Sequence, residues 1–365
     1  MQAALDEVIR KGDVPGLSAA LIRDGRVMWT GASGHADIAS GLPARPSTVY
    51  LWFSMTKIAT ATAVLQLAER GVLDLDEPVT NYVPEFPAAR ARGDGEVTIR
   101  HLLSHSSGLP SPIPVRWVHP PSAPAPDPGE LTRRLLARTR KLKGVPGARA
   151  SYSNLGYLVL GEAVAAASGQ TFEDYVRENL LAPLGMARTD FRYRGDMEPD
   201  AATGYQRRWS PLTPLYRVML PKGILGGPSG RFVAFNRFLV DGPAYGGLVG
   251  PVEDAACFLA LHAGGGRGGV LSPAGITSMQ QITASGRKLD VGLGWFRRRS
   301  DRPMKVRYLE HLGGGGGFWN MMRLFPDLGA GVIVMGNATS YDHQRIAFAA
   351  LDTRSYTSSA HCAGT

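Results

Sequence analysis

The 365-residue sequence has only two cysteines, Cys257 and Cys362. Two thiols, one in a polar C-terminal stretch, make no disulfide framework, and the expectation is a chain without a bridge, suited to a reducing compartment. No apolar run approaches the ~18 residues that a membrane-spanning helix needs, so no membrane partner is expected. The N-terminal residues Met1–Glu7 lack a basic segment followed by an apolar one. That is not a secretory signal, and a cytoplasmic location is expected. An acidic excess is also missing, since the formal net charge is +9. The basic residues are scattered, with Arg297-Arg298-Arg299 the densest cluster, and no nucleic-acid-binding module accompanies them. Nucleic acid is therefore not an expected partner. His101 and His105 stand four apart, but Leu102 occupies the place where a zinc protease needs a glutamate, and no third ligand is evident. No metal and no cofactor are expected.

What is present is an ordinary apolar fraction of 44%, enough for a sizeable core. Leu17–Arg23 and Arg26–Thr30 read as strands joined by Asp24-Gly25, a strong hairpin signal. Ile58, Ala61, Leu65 and Ala68 recur at helical spacing up to a stop at Gly71. Val97–His105 predicts a short helix capped by Thr98, and Thr171 caps another. Between Pro110 and Pro128, eight of nineteen residues are proline, which forbids regular structure. Arg116 and Trp117 are the large side chains there that could overhang a pocket. Leu155–Ala167 predicts a helix. Gly292–Phe296, Phe318–Phe325 and Gly331–Met335 read as strands. The expectation is a mixed α/β (α+β) protein: residues 1–50 and 281–352 form one sheet from both chain ends, 51–280 form an inserted, mostly helical region, and 353–365 are a disordered tail.

Three stretches carry chemistry. In Ser54-Met55-Thr56-Lys57, serine and lysine are one helical turn apart at a helix start, so the amine can lie beside the hydroxyl and the unpaired helix N–H groups are near developing negative charge. In Tyr152-Ser153-Asn154, phenol and amide project the same way if the segment is extended. A neighbouring Lys57 charge would favour the Tyr152 phenolate as the group that takes the Ser54 proton. Asn154 would hold Lys57 or a substrate amide. His311-Leu312-Gly313 opens a run of five glycines with no following Lys-Ser or Lys-Thr, which excludes a phosphate loop. Close backbone approach to a bound carbonyl is the better reading.

The order Ser54-x-x-Lys57, Tyr152-x-Asn154, His311-x-Gly313 resembles the serine beta-lactamase-related family, which includes class C beta-lactamases, D-alanyl-D-alanine carboxypeptidases, D-aminopeptidases and family VIII carboxylesterases. The resemblance extends to Arg100–Pro110, Pro146–Tyr157, Pro183–Met186, Gly246–Val249 and Gly336-Asn337. It implies a five-stranded antiparallel sheet flanked by helices, with an all-helical second region. It further implies Ser54 as nucleophile, Lys57 and Tyr152 as the proton-handling pair, and the Ser54 and Gly314 amides as an oxyanion hole. No Gly-x-Ser-x-Gly occurs, which argues against an alpha/beta-hydrolase. One departure matters. Where family lactamases and peptidases carry Lys-Thr-Gly or Lys-Ser-Gly to grip a substrate carboxylate, this chain has His311-Leu312-Gly313. The loss of those charge-assisted bonds costs roughly 1.5–3 kcal/mol each, and predicts weak or no activity on penicillins. The expected activity is that of a carboxylesterase on short-chain esters. A beta-lactamase, a D-amino-acid peptidase or amidase, and an acyltransferase of the same fold are the alternatives. Substrate contacts are expected from Asn154, His311, Gly313 and Trp319, with Trp209, Tyr216 and Tyr245 as further apolar pocket walls.

Overall fold

Asp24 and Gly25 turn the chain with φ of 49° and 68°, the pair of left-handed angles that a two-residue hairpin loop demands. They join antiparallel strands Gly16–Arg23 (β1) and Arg26–Asp37 (β2), the second running beyond the expected Thr30. The computed structural model describes residues 1–86, 95–139, 141–265, 269–299 and 306–351. The expected tail 353–365, Cys362 within it, lies outside the described residues. Leu42–Pro43 (β3) borders β2. Ala284–Ser285 (β4), Leu289–Val291 (β5), Phe296–Arg298 (β6), Leu309–Gly315 (β7), Phe318–Phe325 (β8) and Ala330–Gly336 (β9) complete a nine-stranded sheet in the order β4-β5-β6-β7-β8-β9-β1-β2-β3. Its five long strands, β7-β8-β9-β1-β2, correspond to the five implied by the resemblance. The other four are short edge pieces. Gly292–Phe296, expected as a strand, is instead largely the turn between β5 and β6, where the Gly292 N–H donates to the Trp295 carbonyl at 2.8 Å.

The sheet is covered on both faces, which is why its central strands are almost wholly apolar. Helices Gln2–Arg10 (α1), Val252–Ala260 (α4) and His343–Leu351 (α5) pack on its strands, while Thr56–Glu69 (α2) and Asn154–Ser168 (α3) pack on each other. Alternate side chains of a strand face opposite ways. Leu17, Ala19 and Leu21 of β1 therefore join Leu5 and Val8 of α1 and Ile346 of α5. Ala20 and Ile22 join the larger cluster with α2 and α4. A buried ion pair lies inside the sheet: Glu310 on β7 accepts from Arg298 at 2.8 Å and from Arg323 on β8 at 3.1 Å and 2.5 Å.

Between β3 and β4 the chain forms helices, loops and three small antiparallel sheets. α2 runs through the middle of the molecule, with every residue from Thr56 to Leu67 buried. The Thr98 cap is present and reciprocal: its hydroxyl accepts from the His101 N–H at 3.3 Å, and His101 Nδ1 accepts from the Thr98 N–H at 3.1 Å. Cys257 lies on α4; the expectation of an unbridged chain turns on Cys362, which lies outside the described residues. Among the described residues no helix is long and apolar enough to cross a membrane.

Candidate active site

Ser54 sits in the one-turn 3-10 helix Phe53–Met55 that feeds directly into α2. Phe53, the residue before it, has φ of 48°, a conformation that costs a side-chain-bearing residue energy and needs surrounding support. Support comes from above and below. Phe53 packs against the rings of Phe238 and Phe318 at 6.2 and 6.3 Å. The preceding strand Val49–Leu51 pairs with Val249–Pro251, and Asn320 on β8 donates to the Leu51 carbonyl at 2.7 Å. Beneath the turn lies the glycine run of β7. A methyl group on Gly313 would overlap the Trp52 carbonyl oxygen, and one on Gly315 would overlap the Phe53 ring. The glycines are thus required for the Ser54 turn to rest on the sheet.

Lys57, fully buried on the first turn of α2, places Nζ 3.0 Å from Ser54 Oγ and 2.7 Å from the Tyr245 carbonyl. The rings of Tyr152, Tyr157 and Tyr245 surround it at 5.1, 5.6 and 5.1 Å. Burial drives its pKa well below the ordinary lysine value. Burial raises the Tyr152 pKa, against a smaller lowering effect of the nearby Ser54 hydroxyl. Both shifts run toward the uncharged forms. Burial thus works against the expected pair, a lysine cation beside a phenolate. Coupled groups of this kind titrate as a set.

Tyr152 precedes the helix cap Ser153, and Asn154 is the first residue of α3. Both still face one cavity of about 310 Å³, lined also by Phe53, Ser54, Val118, Tyr216, Phe238, Val240, Tyr245 and Gly314. Tyr216 and Tyr245 are pocket walls as expected. Among the described residues, Asn154 is not a hydrogen-bond partner of Lys57, and its buried Oδ1 has no partner. The proline-rich segment forms one wall through Pro114, Val115 and Val118. Trp117 stacks edge-on against Tyr245 at 5.6 Å.

Four expected contacts fall elsewhere. His311 is fully buried behind Tyr152, its ring 4.7 Å from that of Phe296 and 6.1 Å from that of Tyr152, and burial and the nearby Lys57 push its pKa down to about 3. Gly313 lies under Trp52 rather than along the cavity. Trp319 turns to the opposite face of the sheet, where Nε1 donates to His343 Nδ1 at 3.0 Å. Its neighbours Phe318 and Asn320 already face the nucleophile's turn, and strand alternation sends Trp319 the other way. Trp209 is 87% exposed. Sequence reasoning missed His105, whose ring lies 4.4 Å from that of Tyr152 and whose Nδ1 accepts from the Ser153 N–H at 3.2 Å. It also missed the Tyr245 carbonyl, a backbone group without a side-chain signature.

A family model described as Beta-lactamase matches residues 1–354. The "Protein flp" of Staphylococcus aureus (strain N315) is 30% identical over 218 residues, covering 57% of this chain but 42% of that protein, so the match takes in less than half of the relative's length. A D-amino acid amidase from Ochrobactrum anthropi SV3 superposes with a TM-score of 0.79 at 25% identity, covering 97% of this chain and 99% of its own. EstCE1, described as a hydrolase with promiscuous acyltransferase activity, shares the fold with a TM-score of 0.70 at 24% identity, over 93% of this chain and 92% of its own.

Proposed function

Because the chain belongs to the beta-lactamase family, a family of serine hydrolases, we propose that it is a carboxylesterase that cleaves small neutral esters through an acyl-enzyme on Ser54. The observation that carries this reading is the cavity: none of the described residues that line it is charged. A penicillin or peptide carboxylate would be buried there without a cation, and a free amino acid amide would bury its ammonium without a carboxylate, each at a large desolvation cost. An ester brings neither charge.

In this mechanism the uncharged Lys57 amine accepts the Ser54 proton as Oγ attacks the ester carbonyl carbon. The oxyanion of the tetrahedral intermediate is received by the backbone N–H groups of Ser54 and Gly314. The carbonyl C–O bond to the alcohol then breaks. The departing oxygen takes a proton from the Tyr152 phenol, which is replenished from the Lys57 ammonium. The same groups deprotonate the water that hydrolyses the acyl-enzyme and return the proton to Ser54 Oγ.

A second reading follows from Asn154. Its buried Oδ1 has no hydrogen-bond partner, and a substrate N–H next to the scissile carbonyl would satisfy it, as in an N-acylated amide. The test is a turnover comparison on p-nitrophenyl acetate and butyrate, nitrocefin and N-acyl amides, with Ser54→Ala as control. Ester turnover that exceeds the others and vanishes in the variant supports the proposal. Nitrocefin turnover matching ester turnover, or an equally active Ser54→Ala, overturns it.

A further inference from the structure

Next to the cavity mouth, helix Leu212–Met219 breaks the usual rule for a surface helix. Its inner side carries Thr213, which is buried, and Tyr216, which lines the cavity. Its outer side presents Leu212, Leu215 and Val218 to solvent, 43%, 48% and 77% exposed, and Trp209 stands just ahead of it. Across the mouth, Ile113 is 74% exposed in the segment whose Pro114 and Val115 also line the cavity. The two segments are tied by a 3.2 Å hydrogen bond from Arg116 Nε to the Met219 carbonyl. Large apolar side chains exposed together mark a surface that meets something apolar, and these ring the entrance to a cavity that is itself apolar.

Charge says what covers them. Arg208 stacks over the Trp209 ring at 5.2 Å. Arg217 lies within the helix and Lys222 just beyond it. The whole stretch from Ala201 to Val240 contains no aspartate or glutamate, and the chain as a whole carries +9. Apolar side chains on a projecting helix, a tryptophan and flanking cations are the features of an element that lies in the plane of an anionic lipid surface. Such docking needs no membrane-spanning helix.

We propose that this rim docks the protein on an anionic lipid surface, so that esters carried in that surface enter the cavity between Ile113 and the Leu212–Met219 helix. The choice of esters rests on the function proposed above, whereas the docking does not.

The test is co-sedimentation with phosphatidylcholine vesicles, with and without phosphatidylglycerol, at low and high salt. The full chain is expected to bind the anionic vesicles about tenfold more tightly than the neutral ones, less so at high salt. Leu215→Ser/Val218→Ser should weaken binding about tenfold and leave turnover of a dissolved p-nitrophenyl ester unchanged. Arg208→Glu/Arg217→Glu should abolish the preference for phosphatidylglycerol. Ser54→Ala should bind as the parent does, which separates this proposal from the catalytic one. Failure of the parent to bind, or equal binding by the Leu215/Val218 variant, overturns the proposal. So does a dimer that the Leu215/Val218 variant dissolves, which would assign the face to a second copy. Salt-sensitive binding to an acidic polypeptide without vesicle binding would assign it to a protein partner and overturn it equally.

Discussion

Replacing Gly313 by alanine tests whether the sheet sets the position of the nucleophile. The added methyl would meet the Trp52 carbonyl oxygen well inside 3.0 Å, and Met55 Cγ at 3.2 Å. Neither strand nor turn yields easily. Gly313 is paired in register with Asn320, and Asn320 in turn holds the Leu51 carbonyl. The turn bearing Ser54 must therefore back away by on the order of an ångström, which for a reacting group costs about 10²-fold in rate. Overpacking of this kind also costs about 1–3 kcal/mol of stability. The assay is kcat/KM on p-nitrophenyl butyrate together with the rate of labelling by a fluorophosphonate, both expected to fall in parallel, and a urea unfolding curve. Gly95→Ala, where a methyl meets nothing within 4 Å, is the control. A Gly313→Ala enzyme with parental rate and stability would refute the idea that β7 fixes Ser54.

Lys57→Arg should lower kcat by about 10²–10⁴-fold, because a guanidinium does not give up its proton to become a base. In the proposed mechanism Lys57 acts unprotonated, and burial holds its folded pKa well below 10.5. Activity should therefore be lost as pH falls through that depressed value, which a pH profile of kcat/KM will show. The unfolded chain binds the Lys57 proton more tightly than the folded one, so stability should rise with pH between the two values. Lys57→Met should remove that part of the slope in unfolding measured across pH. Glu310→Gln should destabilise the fold by about 3–5 kcal/mol, since it removes the buried carboxylate that both Arg298 and Arg323 hydrogen-bond; denaturant unfolding measures it. Asn154→Leu should leave ester turnover within about threefold and weaken N-acyl amide turnover by about tenfold, the worth of one buried hydrogen bond.

Local features were readable in the sequence and long-range ones were not. Ser54 and Lys57 are one turn apart whatever surrounds them, and Asp24-Gly25 or the Thr98 cap need only their neighbours. The charge state of Lys57 depends on three tyrosine rings and a carbonyl from distant segments, and spacing does not report burial. His311 and Trp319 show the same limit. The strand of Trp319 was legible and that of His311, broken by its glycines, was not, and which way each side chain points depends on register across the sheet, where a shift by one residue exchanges the faces. The edge strands β3 to β6 were illegible because two- and three-residue strands carry no periodicity.

The pairing of β1 with β9 joins Leu17 to Gly336 and Arg23 to Ala330, so a strand that leaves the ribosome early waits for one that leaves it late. Contacts of such separation are slow to form. During synthesis the Ser54 turn exists long before Asn320 and the glycines of β7 that support it, and activity should appear only after the chain has been released past Gly336. A nascent chain arrested earlier would hold its nucleophile, its lysine and its tyrosine, and be inert.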